Sequence, residues 1–256
     1  MPRNRKSALA KKPRAARCRF VYKYGRVETP EQLDWLRDLL LNHRAYFPKP
    51  RELNDPREAR PKFARSSREA FREMLFRGYL TANPGLTYDE QVRALQVLTT
   101  NLNHYGLDWV IQAGQETLAG LLMYQRIYSL TRRPNNAHLW MEYAADHRGY
   151  CLQFRRSNLF GLVMEVRYRN RVEFDATAEH VNAAFFFYKR RKWAREEELR
   201  IVFPRKPVGH FPFEPKVLTG IYLGKHMPPE KEGLIREWAR QRTPPVLVER
   251  EPDLLF

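Results

Sequence analysis

Glu196, Glu198 and Arg200 stand at alternate positions in this 256-residue chain and offer its strongest chemical possibility. Read as a strand from Glu196, they share one face, and Leu199, Ile201 and Phe203 face the core. Two carboxylates on one face repel unless a cation or a ligand offsets them. Crowded carboxylates are also what tuned acids, bases and hydrogen-bond acceptors are made from. A solvated strand face with a Glu–Arg ladder fits the same pattern. Lys192 and Trp193 lie just upstream, Trp193 serving as either a core anchor or a stacking platform.

Four further groups could contribute. Tyr22-Lys23-Tyr24 places two phenols on one strand face and an amine, suited to a phosphate, on the other. Leu53-Asn54-Asp55-Pro56 reads as a turn held by Asn and Asp side chains. Leu139-Trp140-Met141-Glu142-Tyr143-Ala144 reads as a short helix that packs through Leu139, Trp140 and Tyr143. Lys189-Arg190-Arg191-Lys192 follows Phe185-Phe186-Phe187-Tyr188, a basic and aromatic mixture suited to single-stranded nucleic acid. A basic helix end accounts for that run equally.

The elements that must position these groups follow from pattern. A strand is expected over 20–24, ending at Gly25. Thr29-Pro30 with Gln32 opens a helix whose apolar stripe is Leu33, Leu36, Leu39 and Leu40. A short strand is expected at 45–47, helices at 68–78 and 87–118 with a break at Gly106, and a strand at 121–130. A short helix over 137–147 precedes strands at 150–154 and 161–174. A helix at 177–192, strands at 198–203 and 217–223, a helix at 229–241 and a strand at 246–249 complete the chain. Strands interleaved with helices, several strands being adjacent, predict an α+β fold with a mixed or antiparallel central sheet and flanking helices.

Charge bounds the partners. The chain carries 46 Lys+Arg against 29 Asp+Glu, a net +17. Residues 1–19 hold eight basic side chains, among them Arg3, Arg5, Lys6, Lys11 and Lys12, and no acid. That segment is expected to be a disordered basic tail, with 20–256 one α+β domain. The excess favours nucleic acid as partner, contacted by the tail and by Lys189, Arg190 and Arg191, and leaves a partner protein open. No apolar run reaches the roughly 18 residues of a membrane span, and two cysteines exclude a disulfide scaffold, so a cytoplasmic protein is expected. The sequence has no phosphate-binding loop, dinucleotide fingerprint, nucleophile elbow or HExxH motif, and no metal is predicted. A non-enzymatic nucleic-acid-binding or sensor module, resting on the basic tail and the basic-aromatic run at 185–192, is an alternative reading to an enzyme, and a metal-dependent nuclease using Asp55, Glu58, Glu196, Glu198 and Lys192 is a third.

In order and spacing these motifs resemble a bacterial family, domain of unknown function 2971. The resemblance covers 20–224 and rests on Tyr22-Lys23-Tyr24, the Phe47–Pro56 stretch and Ser129-Leu130-Thr131. It continues through Leu139–Ala144 with Gly149, Trp193-x-x-Glu196-x-Glu198-x-Arg200, and Ile221-Tyr222-Leu223-Gly224. Pro48 and Ser129 stand where that family usually has Ser and Cys. The layout is also similar, more loosely, to ADP-ribosyltransferases. That likeness implies NAD as co-substrate, Glu198 as the carboxylate that stabilises the ribose cation, and Glu196 orienting the acceptor. It implies Thr131 supporting the pocket and Lys23 or its Tyr neighbours holding NAD, in a toxin or phage-defence setting.

Overall fold

The computed structural model describes residues 18–53, 68–122, 124–170, 185–203 and 208–253. The basic segment through Arg3, Arg5, Lys6, Lys11 and Lys12 lies outside them, as do Asn54, Asp55 and Glu58. The strands are β1 (Phe20–Gly25), β2 (Arg44–Tyr46), β3 (Arg126–Thr131), β4 (Tyr150–Arg155), β5 (Met164–Glu165) and β6 (Arg167–Arg169). They continue with β7 (Tyr188–Arg190), β8 (Glu198–Phe203), β9 (His210–Pro212), β10 (Leu218–Leu223) and β11 (Val248–Arg250). The helices are α1 (Pro30–Leu41), α2 (Arg68–Ala82), α3 (Tyr88–Leu122), α4 (Ala137–Glu142) and α5 (Pro229–Gln241). The fold is α+β, with a seven-stranded sheet in the order β11-β10-β4-β1-β3-β8-β5. Every pairing in that sheet is antiparallel except β10 with β11.

Local rules explain α1. Thr29 accepts from the Gln32 amide and the Gln32 side chain returns to the cap, a complete capping box with Pro30 in the first turn. Leu36, Leu39 and Leu40 are buried, and α1 packs against β2 and α5. Each buried Leu contributes about 1.5–3 kcal/mol. Thr29→Ala should cost about 1 kcal/mol, measured as a lower urea midpoint with unchanged slope. An unchanged midpoint would show that packing alone sets this helix.

Several expected boundaries move. The apolar pair Leu121-Leu122 continues α3, so β3 begins only at Arg126. Gly106 does break α3, at φ 78° and ψ 163°. The expected strand at 161–174 is a 3₁₀ turn over Asn158–Leu162 followed by the short strands β5 and β6. In place of the C-terminal part of the helix expected at 177–192 stand a 3₁₀ turn, β7 and the start of a second 3₁₀ turn over Arg191–Glu196. The Phe185-Phe186-Phe187 run is apolar at consecutive positions, without the three- to four-residue spacing that would give a helix one buried face. β9, which pairs with β2, is a three-residue strand too short to show a period.

One feature of the sheet positions the site. β1 pairs with β4 over six residues, and β3 pairs with β8 over six. Between β1 and β3 the register is a single bridge, Tyr22 opposite Thr131. Beyond it the two ribbons diverge. The edge of β3 there is taken by another segment, because the Ile127 amide donates to Pro48 O at 3.0 Å. Arg126 Nη1 donates to Phe47 O at 3.3 Å, and the Phe47 amide to Gly209 O at 2.6 Å. The chain after β2 is therefore a wedge that holds the sheet open.

Candidate active site

The opened sheet contains a cavity of about 620 Å³. Lys23, Tyr24 and Gly25 line it from β1, and Tyr128, Ser129 and Leu130 from β3. These are the stretches that diverge after the Tyr22–Thr131 bridge. Its size lies within the usual range for small-molecule sites, and aromatic rings dominate its wall. Trp35, Tyr46 and Tyr150 lie along it with the β1 tyrosines, as do Tyr143, Trp193, Glu196 and Glu198.

Register places Glu198. One row of residues on one sheet face runs Gly220, Gln153, Tyr22, Thr131, Glu198 across five strands. Tyr22 and Tyr222 both donate to Gln153 Oε1, at 3.2 and 3.0 Å, which fixes the β1 end of the row. The Glu198 amide donates to the Tyr168 hydroxyl at 2.8 Å.

Glu196 reaches the site differently from the sequence expectation. It is not on the strand but ends the 3₁₀ turn, and β8 starts at Glu198. Glu197 lies between them in the left-handed region, at φ 45° and ψ 45°, so strand alternation does not apply. Thr131 Oγ1 donates to Glu196 O at 2.8 Å, and Asn136 Nδ2 to Arg195 O at 2.6 Å. β3 and the cap of α4 thereby hold the turn whose last side chain meets the strand's first.

The two acids share one ammonium. Lys189 Nζ donates to Glu196 Oε2 at 2.5 Å and to Glu198 Oε2 at 3.0 Å. Arg200 grips Glu198 with two bonds, Nε to Oε1 at 2.6 Å and Nη2 to Oε2 at 2.9 Å. The Tyr143 hydroxyl donates to Glu196 Oε1 at 2.9 Å. Lys189, Glu196, Glu198 and Arg200 are each at most 5% exposed. Burial pushes the Glu198 carboxyl up, but Arg200 and Lys189 outweigh it and hold it at about 2. Burial also raises Glu196; the Lys189 ammonium opposes this and the Glu198 charge adds to it, and the net direction is up. Two adjacent carboxylates are thus driven apart, one a fixed anion and the other biased toward holding a proton.

Lys23 stands on the opposite face of β1 from Tyr22 and Tyr24. Its ammonium lies 4.9 Å from the centroid of the Tyr128 ring and donates no hydrogen bond to any described residue. Burial lowers its pKa to about 8, although the Glu198 charge pulls it back up. The Trp193 indole N–H is buried and has no acceptor among the described residues.

Other expected site residues fall elsewhere. Trp140 is fully buried, donates to Pro134 O and packs edge-on against Tyr24, so it supports β1 from behind and does not line the cavity. Arg200 lies behind Glu198 and outside the cavity wall. Lys192 is exposed and lies over the Trp193 ring at 4.7 Å. Arg190 and Arg191 are exposed, as a surface contact requires, but Lys189 is turned inward to the acid pair and is no surface base. Its neighbours in sequence mask it, since composition cannot say which member of a basic run points inward. Glu52, Trp35 and Tyr46 were not singled out from sequence. Trp35, off the Leu stripe of α1, carried the one available signal.

Among the described residues no group of three or more His, Cys, Asp or Glu side chains could hold a metal ion. No helix of the described residues is long and apolar enough to cross a membrane. Compared with family models, with curated proteins and with solved structures, the chain matches none.

Proposed function

We propose that the cleft binds NAD and that the protein is an ADP-ribosyltransferase-like enzyme. The observation that carries this reading is the acid pair at the opened sheet: an anionic Glu198 fixed by Arg200 beside a Glu196 of raised pKa. NAD brings an N-glycosidic bond whose cleavage leaves positive charge on the ribose. A preorganised anion in a water-poor site is the group that stabilises such charge. Glu198 fills that role. Glu196, bonded by Tyr143, orients the incoming acceptor, and its ionised form, made the more basic of the two carboxylates by its raised pKa, takes the acceptor's proton. Lys23, with no hydrogen-bonded partner among the described residues, suits the diphosphate.

The test is release of nicotinamide from NAD, alone and with RNA, DNA or lysate protein as acceptor. Absence of turnover under all of these sinks the reading. The exposed Arg190, Arg191 and Lys192 beside Trp193 favour a polyanionic acceptor, and they also support a second reading, a non-enzymatic nucleic-acid-binding module. That module would bind single-stranded RNA with steep salt dependence and without nicotinamide release.

Lys23 supplies a pH signature. It is charged below about 8 and loses its proton above that value in the free protein. Affinity for ADP should therefore fall as pH rises through 8 and beyond, by about tenfold for one charged hydrogen bond. Lys23→Met should bind weakly at every pH with no such step, read by titration calorimetry at pH 7 and pH 9.5. The same shift affects stability. Because the folded pKa lies below the unfolded one, the charged form is penalised in the fold below about 8. The penalty is relieved as pH rises from there toward the ordinary lysine value.

A further inference from the structure

On the α1 side of the cleft, two aromatic rings form a surface that the acid pair does not explain. Trp35 is 52% exposed although it belongs to a helix with a well-buried leucine face. Its ring stacks on Tyr46, centroids 5.6 Å apart and planes within 15°. Both rings line the cavity together with Leu39 and Glu52.

The surface is built rather than incidental. The Tyr46 hydroxyl donates to Glu52 Oε2 at 2.7 Å, and the Lys49 amide donates to the same oxygen at 3.0 Å. His210 lies against Tyr46 at 5.1 Å. At Gly209 a Cβ would stand 2.6 Å from the Tyr46 ring, so only glycine admits the ring in this position. Tyr46 is thus locked from three directions and fixes Trp35 in turn. A large apolar ring left half in water forfeits burial energy, and a rigid stacked pair at a cavity wall is the arrangement that receives a flat ring.

We infer that the Trp35–Tyr46 pair is a purine-base subsite, with Trp35 the stacking residue and the remainder of the nucleotide running past Lys23 toward Glu198. Lys23 shares one cavity lining with Trp35, Tyr46 and Glu198, and its ammonium faces the Tyr128 ring in that same wall. The ligand class is an adenine nucleotide diphosphate. This rests on the nucleotide reading of the cleft and adds which end of the ligand lies where.

The experiment compares ADP with ribose 5-phosphate, which lacks the base, by titration calorimetry on the full chain. Loss of one base–aromatic stack means that Trp35→Ala should weaken ADP by about five-fold to about 150-fold, and Trp35→Phe much less. Ribose 5-phosphate should bind both proteins equally. Trp35 is half exposed, so the variants should melt close to the wild type. Equal ADP affinity in Trp35→Ala, or no ADP binding to the wild type, overturns the subsite. If ADP binding depends on Trp35 but no nicotinamide is released, the subsite stands and the transferase reading falls. If nicotinamide is released and Trp35→Ala leaves ADP affinity unchanged, the subsite alone falls.

Discussion

Glu198→Gln should lower the rate of nicotinamide release by at least about 100-fold, the usual effect of removing one preorganised electrostatic stabiliser. Gln keeps the shape of Glu, but its amide nitrogen would meet an Arg200 or Lys189 donor where an oxygen now accepts, and it cannot place a full negative charge beside the ribose. Arg200 and Lys189 would remain buried around a neutral group, so the variant should also melt earlier. ADP binding serves as the check that the cleft survives. Turnover within a few-fold of the wild type would remove Glu198 from the chemistry and reduce the acid pair to a structural charge network. Acid has a related effect on the native protein. The folded pKa of Glu198 is depressed, so its contribution to stability is full above the ordinary Glu value and is lost as pH falls toward about 2.

Lys189→Met is the substitution expected to damage the fold most. One ammonium serves two buried carboxylates, at 2.5 and 3.0 Å. Its loss leaves Glu196 and Glu198 facing each other without it, which costs about 3–5 kcal/mol when an ion pair is broken from one side. For a chain of this size that is roughly 6–20 °C in melting temperature. Two controls separate charge from packing. Adding Glu196→Gln should restore a large part of the loss, because Glu198 still has Arg200. Lowering the pH should narrow the gap to the wild type, because the Glu196 pKa is already raised and protonation removes the repulsion. A melting temperature within about 2 °C of the wild type would show that the network carries little of the stability.

How much of this could be read from the sequence differs by type of information. Period and capping are local, so β1, α1, β4, β8, β10 and α5 were legible almost to the residue. Glu198 and its face were legible because a strand alternates strictly. Glu196 was legible as a partner but for the wrong reason, since a left-handed Glu197 brings it to the same acid pair instead of strand alternation. Lys189 was hidden because its role depends on β7 pairing with β6, a three-residue contact across about twenty positions. The cavity itself was invisible. It exists because Pro48 O takes the Ile127 amide that β1 would otherwise pair near, and no local pattern encodes which chain occupies a strand's edge.

That single bridge between β1 and β3 has a consequence for how the protein can vary. A ligand site cut into a continuous sheet would have to break hydrogen bonds that hold the core together. Here the site occupies a seam where few such bonds exist. The core cluster of Leu152, Phe154, Leu199 and Ile201 lies on the two ribbons to either side. Opening and binding are governed by the wedge after β2 and by the side chains on its walls, while cohesion is governed by the ribbons. Substitutions at exposed wall residues such as Trp35 can therefore retune what is bound with little effect on folding, whereas the buried wall residues, Lys189 and Glu198 among them, are held to both tasks.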